Sequence, residues 1–354
     1  MTKFVTYHAY KSTNLGGVES LVRELQRLTA DAGFSCVELY RYNVDEVYEE
    51  KDFIDYEMVF EGKNGKLGAI IDSRMSIKRL NLGRDDFLFI FNPIYLIYIP
   101  FSVLFCSKVV LVQASKLEVV YSKWFVKFLV NSFGRFLHRL TVYGESDFRQ
   151  LTKMFPELKE KVRVVPRACR LKISEVVQNR SKDLVTIARI DESVKNFSVM
   201  IDVMRELGPE YSLDIYGGGK PEEVSKLREL IAKCENVRYR GATSNVADTL
   251  RKYSVFLMTS RFEGLGQAAI EARSQGLPVV LFDTFPNASL VVKNGETGFL
   301  VKPWSISAYT RAIKDILRDD HTYRAFSHAS IIMSKELSSD RIDGLWFSEV
   351  LADG

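Results

Sequence analysis

The sequence predicts an α/β protein made of two doubly wound, Rossmann-like domains, each with a parallel sheet. Three observations lead to this prediction. The chain has 354 residues, which is enough for two domains with cores of their own. Short apolar runs of strand type alternate with amphipathic stretches of helical spacing. Glycine turns follow several of the strand-like runs, and in such folds ligands bind beyond the carboxyl ends of the strands.

The N-terminal half begins with a strand-like run, a glycine pair and a helical stretch. Lys3–Ala9 is predicted to be a strand, and Val18–Thr29 has the apolar spacing of an amphipathic helix. Gly16 and Gly17 lie between them and are candidates for contact with a phosphate or an acceptor, with a bare turn as the alternative. His8, near the end of the strand, is a candidate on the acceptor side, although a packed or solvated histidine is the simpler interpretation.

A long apolar stretch follows farther along this half. Phe87–Ser107 runs 21 positions without a charge, which meets the length of about 20 residues that a membrane-spanning helix needs. Asn92, Pro93 and Pro100 interrupt it, and another strand-like run begins at Val109. We therefore predict a buried strand, a turn and a very apolar helix rather than a membrane span.

In the C-terminal half, a strand, a glycine turn and a helix follow one another. Val255–Ser260 is an apolar run of strand type, and Gln267–Gln275 has helical composition. Gly264 and Gly266 lie between them and allow the backbone to approach a ligand closely. The N–H groups at the helix start lack intrahelical partners and lie at the positive end of the helix dipole, so this turn favours an anion.

Two carboxylates belong to this turn and to the helix that follows it. Glu263 stands in the turn, and Glu271 lies eight positions later, about one turn inside the helix. The two oxygens of a carboxylate can accept hydrogen bonds from both hydroxyls of a vicinal diol. For an isolated pair, a helix cap and a solvated helix residue would be the simpler interpretation. The surrounding sequence decides between these interpretations.

Seven stretches around this motif form a recognisable pattern. They are S-R-F-E-G-L-G-Q-A-A-I-E-A at 260–272, G-L-P-V-V at 276–280, N-G-E-T-G-F-L-V at 294–301, L-V-T-I-A-R-I at 184–190, K-N at 195–196, L-D-I-Y-G-G-G at 213–219 and Y-R-G at 239–241. Together they resemble the retaining family-4 glycosyltransferases of the GT-B fold, and they are spread over residues 183–302 in that family's order. The resemblance implies two Rossmann-like domains that face each other across a cleft.

The resemblance also implies roles for four charged residues. Arg189 and Lys195 resemble the pair that binds the donor diphosphate. Such cations would stabilise the charge that grows on the diphosphate as the sugar leaves, and a solvated surface pair is the alternative. Glu263 resembles the residue beside the transferred sugar, and Glu271 resembles the residue that binds the ribose of the nucleotide.

Backbone groups are expected to complete the donor site. The turn of Gly264, Leu265 and Gly266 would offer N–H groups to the phosphates or the sugar. Gly217 and Gly241 follow strand-like runs and are further candidates for donor contact. For the glycines at 217–219, a simple turn is the alternative.

The N-terminal half matches the family less well. Family members carry a Gly-Gly that faces the donor, which makes Gly16 and Gly17 candidates for donor contact. Many relatives have a histidine after the strand that ends at residue 112, where this chain has Gln113. A glutamine cannot act as a base, although it can hydrogen-bond a sugar hydroxyl on the acceptor side. The run Val164–Cys169 also differs from the usual Pro-Asn-Gly hinge.

Domain boundaries follow from changes in composition. We expect an N-terminal domain over residues 1–170 and a C-terminal domain over residues 180–338. The resemblance implies that the first is the acceptor side and that the second binds the nucleotide sugar. The linker is expected near Cys169–Lys182, where the sequence becomes polar and basic. The segment 340–354, with a last helix predicted over Ile342–Leu351, is expected to return to the first domain, as is common in this fold.

Composition argues against several partners and cofactors. Lys and Arg number 49 against 45 Asp and Glu, so the net charge of +4 is too small to predict nucleic-acid binding. The four cysteines lack metal-site spacing, which favours reduced thiols in a cytoplasm, and Met1–Tyr10 lacks the pattern of a signal peptide. No Asp-x-Asp occurs, so we expect no metal and no cofactor apart from the donor substrate.

One segment suggests contact with a membrane surface. In Tyr121–Leu140, lysine and arginine residues interleave with phenylalanine and tryptophan, a pattern that suits a bilayer containing anionic lipid. The alternative is an ordinary helix that faces the core and carries solvated cations.

The resemblance implies a retaining glycosyltransferase, and together with the composition it leads us to expect an enzyme in the cytoplasm, peripheral on the inner face of the membrane. It would move a sugar from a UDP- or GDP-sugar to a hydroxyl of a glycan or lipid-linked glycan in bacterial surface polysaccharide synthesis. A catalytically silent partner subunit that binds sugar nucleotide is the first alternative. An NAD-dependent oxidoreductase is the second, but it would need G-x-G-x-x-G after its first strand, and residues 14–19 read N-L-G-G-V-E.

Overall fold

The computed structural model describes residues 2–13, 17–42, 56–59 and 65–352. The chain divides into two compact units. The first contains the chain up to Pro166 and resumes at Asp343, and the second is Arg167–Ile342. Each unit has its own parallel sheet, which confirms the predicted pair of doubly wound α/β domains.

The first unit contains a parallel sheet. Its described strands are β1 (Lys3–Tyr10), β2 (Ser35–Tyr42), β3 (Tyr56–Val59), β4 (Phe87–Ile90), β5 (Lys108–Val112), β6 (Arg139–Val142) and β7 (Val162–Val164). They pair in the order β3-β2-β1-β4-β5-β6-β7. In the centre, Val5 of β1 pairs with Val37 of β2 and Leu88 of β4. The direction of the chain across the sheet therefore reverses between β1 and β4, as in a Rossmann fold.

Helices connect these strands. Those described are α1 (Gly17–Asp31), α2 (Gly65–Arg79), α3 (Phe101–Cys106), α4 (Leu117–Val120), α5 (Trp124–Phe133) and α6 (Glu145–Met154). The uncharged stretch forms β4, a 3-10 turn over Pro93–Tyr98 and α3, as predicted. Asn92 caps that turn through its side chain, which accepts a hydrogen bond from the N–H of Ile94. Within the described residues, every helix is too short or too polar to cross a bilayer.

The C-terminal segment packs on the first unit. A short π-helical segment, Trp346–Leu351, follows the last α-helix. The ring of Trp346 lies 6.0 Å from the ring of Phe89, and His138 Nε2 lies 3.2 Å from the carbonyl oxygen of Val350. Burial lowers the pKa of His138 to about 4, so the imidazole is neutral near pH 7 and donates this hydrogen bond.

The second unit contains the other parallel sheet. Its strands are β8 (Asp183–Ile187), β9 (Ser212–Tyr216), β10 (Val237–Gly241), β11 (Val255–Met258), β12 (Val279–Phe282) and β13 (Gly298–Val301). They pair in the order β10-β9-β8-β11-β12-β13. The direction of the chain reverses between β8 and β11. In open α/β sheets, the crevice beyond the carboxyl ends of such a strand pair is where ligands bind.

The helices of this unit are short around the carboxyl edge and longer on the faces of the sheet. They are α7 (Glu192–Lys195), α8 (Phe197–Leu207), α9 (Pro221–Ile231), α10 (Val246–Leu250), α11 (Gln267–Ser274), α12 (Ala288–Val291), α13 (Ile306–Ile316) and α14 (Asp320–Ser334). The helix α15 (Ser339–Leu345) begins in this unit, and its last residues belong to the first. The predicted linker, Cys169–Lys182, has neither helix nor strand and lies within the second unit.

A buried tyrosine holds the end of β11 in place. Tyr309 of α13 is fully buried, and its hydroxyl donates to the carbonyl oxygen of Val280 at 2.5 Å. The same hydroxyl accepts a hydrogen bond from the N–H of Met258, the last residue of β11, at 3.0 Å. Because Met258 directly precedes the predicted site, core packing of α13 fixes where that site begins.

Candidate functional site

The candidate site lies at the carboxyl ends of β8 and β11, where the order of strands reverses. The segments that follow these strands are joined by hydrogen bonds. Thr259 Oγ1 donates to the carbonyl oxygens of Lys195 (3.0 Å) and Asn196 (3.1 Å), and the N–H of Arg261 donates to Val194 O at 2.8 Å. A small cavity is lined by Thr186, Ile187, Ala188, Lys195, Phe197, Met200, Met258, Thr259 and Ser260. This edge is therefore where an open α/β sheet is expected to bind its ligand.

Lys195 and Glu263 meet at this edge. The ammonium of Lys195 lies 2.6 Å from Glu263 Oε1, and the hydroxyl of Ser260 donates to the same oxygen at 2.6 Å. Both side chains are mostly but not fully covered, at 17% and 13% exposed. Glu263 Oε2 has no hydrogen-bond partner among the described residues, so it remains able to accept one from a ligand hydroxyl.

Asn196 turns the chain between α7 and α8. Its φ of +55° is left-handed, a conformation that asparagine tolerates better than most residues. The side chain is buried, and its Oδ1 accepts a hydrogen bond from Arg261 Nη2 at 2.6 Å. This turn and its bond to the segment after β11 fix the backbone that presents Lys195.

A glycine opens α11, as the sequence predicted. Gly266 caps this helix with a left-handed φ of +84°, which favours glycine. Leu265 is buried, so the turn packs onto the unit while Gly264 remains partly exposed. A Cβ atom on Gly266 would lie 3.4 Å from the ring of Phe285. The first N–H groups of α11 point away from the helix body and lack intrahelical acceptors.

Glu271 is buried one turn inside α11 and has a cationic partner. Arg170 Nε donates to Glu271 Oε1 at 2.6 Å, and Arg170 Nη2 also contacts this oxygen. Sequence reasoning did not identify Arg170, because it lies 101 positions away in a segment without helix or strand. A ribose bound at Glu271 would therefore share the carboxylate with a guanidinium.

Arg189 lies on the segment after β8, but its side chain does not join the Lys195–Glu263 pair. It is largely exposed, and its Nη2 lies 3.4 Å from Asp191 Oδ2. The glycines at 217–219 hold this segment close. A Cβ on Gly217 would lie 1.7 Å from the carbonyl oxygen of Ala188, and one on Gly219 would lie 2.5 Å from that of Ile190. Glycine is therefore required here by backbone packing, whether or not a nucleotide also contacts it.

Gly241 lies at the end of β10, two strands away from β8. Its carbonyl oxygen accepts a hydrogen bond from the N–H of Gly217 at 2.8 Å, and its φ of +77° is left-handed. Gly241 thus connects with the candidate site through Gly217, and its own contact with a ligand stays a prediction.

In the first unit, His8 is packed. It is 1% exposed, and its Nε2 lies 3.1 Å from Glu38 Oε1. Glu38 is itself buried and also accepts from the N–H of Ser12 at 2.7 Å and from its hydroxyl at 2.8 Å. His8 Nδ1 is buried without a hydrogen-bond partner among the described residues. The structure thus agrees with the packed histidine that the sequence left open.

Gln113 links the ends of two neighbouring strands. Its Oε1 accepts a hydrogen bond from the N–H of Tyr143 at 2.9 Å, and its Nε2 donates to Ser115 O at 3.3 Å. These bonds connect the segments after β5 and β6, and they leave one amide hydrogen of Gln113 without a partner among the described residues. Gly17 is the first residue of α1, and Gly16 lies outside the described residues.

A buried arginine supports the glycine turn from behind. Arg273 of α11 is fully buried, and its Nη1 donates to the carbonyl oxygens of Leu290 (2.8 Å) and Val291 (2.9 Å) at the end of α12. Val291 in turn packs beside Gly266. Burial lowers the pKa of Arg273 to about 10, so it remains a cation near pH 7. Sequence reasoning missed it, because an arginine in a helix is ordinarily solvated.

The fold and this edge define a class of protein. Residues 170–332 match the family described as glycosyl transferases group 1. Two solved structures share the fold over the length of the chain, with TM-scores of 0.77 and 0.78 and identities of 14% and 13%. They are a lipopolysaccharide outer core galactosyltransferase, WaaB, and HepE from Anabaena in complex with UDP. The first is covered over 99% of both chains, and the second over 97% of this chain and 98% of HepE. The chain therefore has the GT-B fold.

Part of the chain is also similar in sequence to bacterial glycosyltransferases. A poly(glycerol-phosphate) alpha-glucosyltransferase from Bacillus subtilis (strain 168) is 32% identical over 156 residues. This match spans 44% of the present chain and 23% of the relative. Three such relatives are matched over 23% to 45% of their own length. The match to the family model thus lies in the second unit, and the similarity in fold extends over both units.

Proposed function

We propose that this protein is a retaining, metal-independent glycosyltransferase. It would move a sugar from a UDP- or GDP-sugar to a hydroxyl of a glycan or lipid-linked glycan. The observation that carries the proposal is the pair of Lys195 and Glu263 beside the glycine turn that opens α11. A cation, a carboxylate with one open oxygen and a helix start suit a sugar joined to a diphosphate.

Cations promote departure of the diphosphate in this proposal. Negative charge grows on the phosphate oxygen as its bond to the anomeric carbon breaks. Lys195 exchanges part of its contact with Glu263 for that oxygen, and exposed Arg189 turns from Asp191 to the diphosphate. Both cations interact more strongly with the transition state than with the bound donor, which lowers the barrier. Because these groups neutralise the charge, the proposed mechanism uses no metal ion.

The acceptor attacks on the face from which the diphosphate leaves. A bond forms between the acceptor oxygen and the anomeric carbon while the bond to the phosphate oxygen breaks. The acceptor proton passes to the departing phosphate oxygen, so the products are a glycosylated acceptor and a nucleoside diphosphate. No protein nucleophile is needed. Glu263 Oε2 accepts a hydrogen bond from a hydroxyl of the transferred sugar and thereby orients the sugar.

Glu271 and the glycine turn bind the rest of the donor in this proposal. Glu271 accepts hydrogen bonds from the ribose hydroxyls, and Arg170 pairs with the buried carboxylate and orients it. Gly264, Leu265 and Gly266 supply N–H groups to the phosphates. UDP is the first nucleotide to test, because the structure of HepE, which shares this fold, contains it.

The acceptor is proposed by analogy with the relatives. Their names include a glucosyltransferase acting on poly(glycerol-phosphate) and a lipopolysaccharide galactosyltransferase. We therefore propose bacterial surface polysaccharide synthesis, with the enzyme in the cytoplasm and peripheral on the inner face of the membrane. The Tyr121–Leu140 segment was the first candidate for that membrane contact, and a wider surface is described in the next subsection.

Thermal unfolding with a panel of nucleotides tests the donor site. UDP, GDP, ADP, CMP and NAD are compared in chelator and again with added Mg²⁺. A ligand present at about 100 times its Kd should add about 2.7 kcal/mol to the free energy of unfolding. We expect one nucleoside diphosphate to stabilise the protein equally with and without metal. Stabilisation by NAD alone, or by none of the five, would contradict the proposal.

A transfer assay then separates an enzyme from a silent binding subunit. The donor named by the unfolding experiment is incubated with candidate acceptors, and the anomeric configuration of the product is read by NMR. We expect the configuration of the donor to be retained. Inversion would refute the same-face route. Binding of the nucleotide without any transfer, across teichoic-acid-type, lipopolysaccharide-type and lipid-linked acceptors, would favour the silent subunit.

A further inference from the structure

An exposed apolar stripe runs along α2 in the first unit. Leu67, Ile71 and Met75 recur every four residues, so they lie on one face of the helix. Between 47% and 76% of each side chain is exposed. The opposite face is buried through Ala69, Ser73 and Ile77. The helix is therefore anchored on one side and presents large apolar groups to solvent on the other.

Ring contacts extend this stripe to α3. The guanidinium of Arg74 lies over the ring of Phe101, 5.5 Å from its centroid. Phe101 stacks on Phe105 at 6.3 Å, and both rings are at least half exposed. Phe105 also contacts Phe136 edge-on at 4.6 Å. We call Leu67, Ile71, Met75, Phe101 and Phe105 the apolar patch.

Cations lie on and around the apolar patch. Lys78 continues the stripe of α2, and Arg135 lies over the ring of Phe136 at 4.5 Å. The sequences of α2, α3 and α5 together hold five basic residues and one acidic residue, Asp72. A patch with exposed aromatic rings and an excess of positive charge is complementary to a bilayer surface, where anionic headgroups cover apolar acyl chains.

We propose that the apolar patch docks on a bilayer containing anionic lipid. Ile71 and Phe105 would enter the boundary between headgroups and acyl chains, while Arg74, Lys78 and Arg135 contact phosphate groups. A second copy of the chain fits less well. A symmetric dimer would bring two copies of the cationic surface into one interface, where like charges repel.

The patch differs from the segment that the sequence indicated. In Tyr121–Leu140, helix α5 buries Val126, Leu129 and Val130 in the core and leaves Trp124 and Phe128 exposed. Both α2 and α5 pack against the 3-10 turn over 93–98. Helix α5 thus uses one face for the core, whereas the apolar patch on α2 and α3 is exposed. This inference concerns the first unit and does not depend on the proposed reaction.

Co-sedimentation of the full chain with vesicles tests the proposal. We expect binding to mixed phosphatidylcholine and phosphatidylglycerol vesicles, little binding to phosphatidylcholine alone, and weakening at high salt. The double variant Ile71→Ser with Phe105→Ser should bind at least about tenfold more weakly, because two apolar insertions are lost. Lys78→Gln should weaken binding about fivefold.

Ile332→Ser is the matched control, because Ile332 is a similarly exposed apolar residue on α14 of the second unit. It should bind as the wild type does, and circular dichroism should be the same for all variants. Absence of binding at low salt, or equal binding by the double variant, would overturn the proposal. A dimer seen by light scattering without vesicles and lost in the double variant would also overturn it, because a second copy would then occupy the patch.

Discussion

Polar residues lie at the carboxyl ends of strands in both sheets, but their side chains are packed in the first sheet and partly exposed in the second. In the first unit, His8 pairs with Glu38, and the amide of Gln113 joins two strand ends. In the second unit, Lys195 and Glu263 also pair, but both remain partly exposed and one carboxylate oxygen has no partner among the described residues. The same fold thus uses polar strand ends for structure in one sheet and leaves them available to a ligand in the other.

The largest effect is expected at Lys195. Lys195→Ala should lower kcat about 100- to 1000-fold, because the growing charge on the leaving group loses its nearest cation. The fold should be retained, since the backbone of Lys195 keeps its bond to Thr259. The rate is measured with saturating donor. Lys226→Ala, which removes an exposed lysine of α9, is the control and should keep full activity. Equal activity in the two variants would mean that Lys195, like His8 in the first unit, serves the structure and not the reaction.

Glu38 tests the other side of the comparison. Glu38→Ala removes the acceptor of hydrogen bonds from Ser12 and His8, which stay buried. The free energy of unfolding should fall by about 3 kcal/mol, as measured with urea. The KM for the donor should change little, because the charged residues proposed to bind the donor lie in the second unit. A normal stability with a changed donor KM would show that this network belongs to the reaction instead.

Arg273 tests whether a buried residue of the second unit affects donor binding as well as stability. Arg273→Met removes the bonds to Leu290 and Val291 while nearly keeping the apolar volume. We expect a loss of about 2 kcal/mol in the free energy of unfolding and a higher KM for the donor, because Val291 packs beside Gly266. Arg205→Met, at an exposed position on α8, is the control. An unchanged KM would limit Arg273 to stability.

The smallest effect is expected at Asp214, a carboxylate that serves stability, in contrast to the role proposed for Glu263. Asp214 of β9 is buried, which by itself raises its pKa, but hydrogen bonds from Tyr253, Arg238 and Arg240 outweigh burial and hold the pKa below its ordinary value. The folded pKa is thus below the unfolded value of about 3.9. This contribution to stability is present above about pH 4 and is lost as pH falls through the folded pKa.

Asp214→Asn should therefore flatten the fall in unfolding free energy on acidification below about pH 4. Urea unfolding at a series of pH values measures it. Asp202→Asn, on the exposed part of α8, should leave the acid limb of the curve as it is in the wild type. A curve for Asp214→Asn that overlays the wild type would mean that this network contributes little to stability.

Much of the second unit was predictable because its signals are local. The run from Val255 to Ser274 forms β11, a glycine turn and α11, and the apolar and glycine positions alone indicate that order. The helix α1 and the segments of the uncharged stretch were predictable for the same reason. Hydrophobic periodicity reports which face of an element is buried, and that information lies within about ten residues of the chain.

Partners distant in the chain could not be predicted. Arg170 pairs with Glu271 across 101 positions, and Glu38 approaches His8 because β2 lies next to β1. Nothing in the spacing of these residues indicates the pairing. The apolar patch was partly missed for a related reason, since Phe101 and Phe105 lie in a stretch so apolar that burial was the natural expectation.

The sequence by itself determined the alternation of strands and helices, the glycine turns and the charged residues at strand ends, because these depend on local sterics and periodicity. Only the tertiary structure decided which of those charged groups remain available. Within the part of the chain that the structure describes, Glu263 Oε2 has no partner, because Lys195 and Ser260 both approach Oε1. His8 is buried because Glu38 lies on the neighbouring strand. Availability depends on which atoms distant in sequence come within hydrogen-bonding distance, and that distance is set when the sheet assembles.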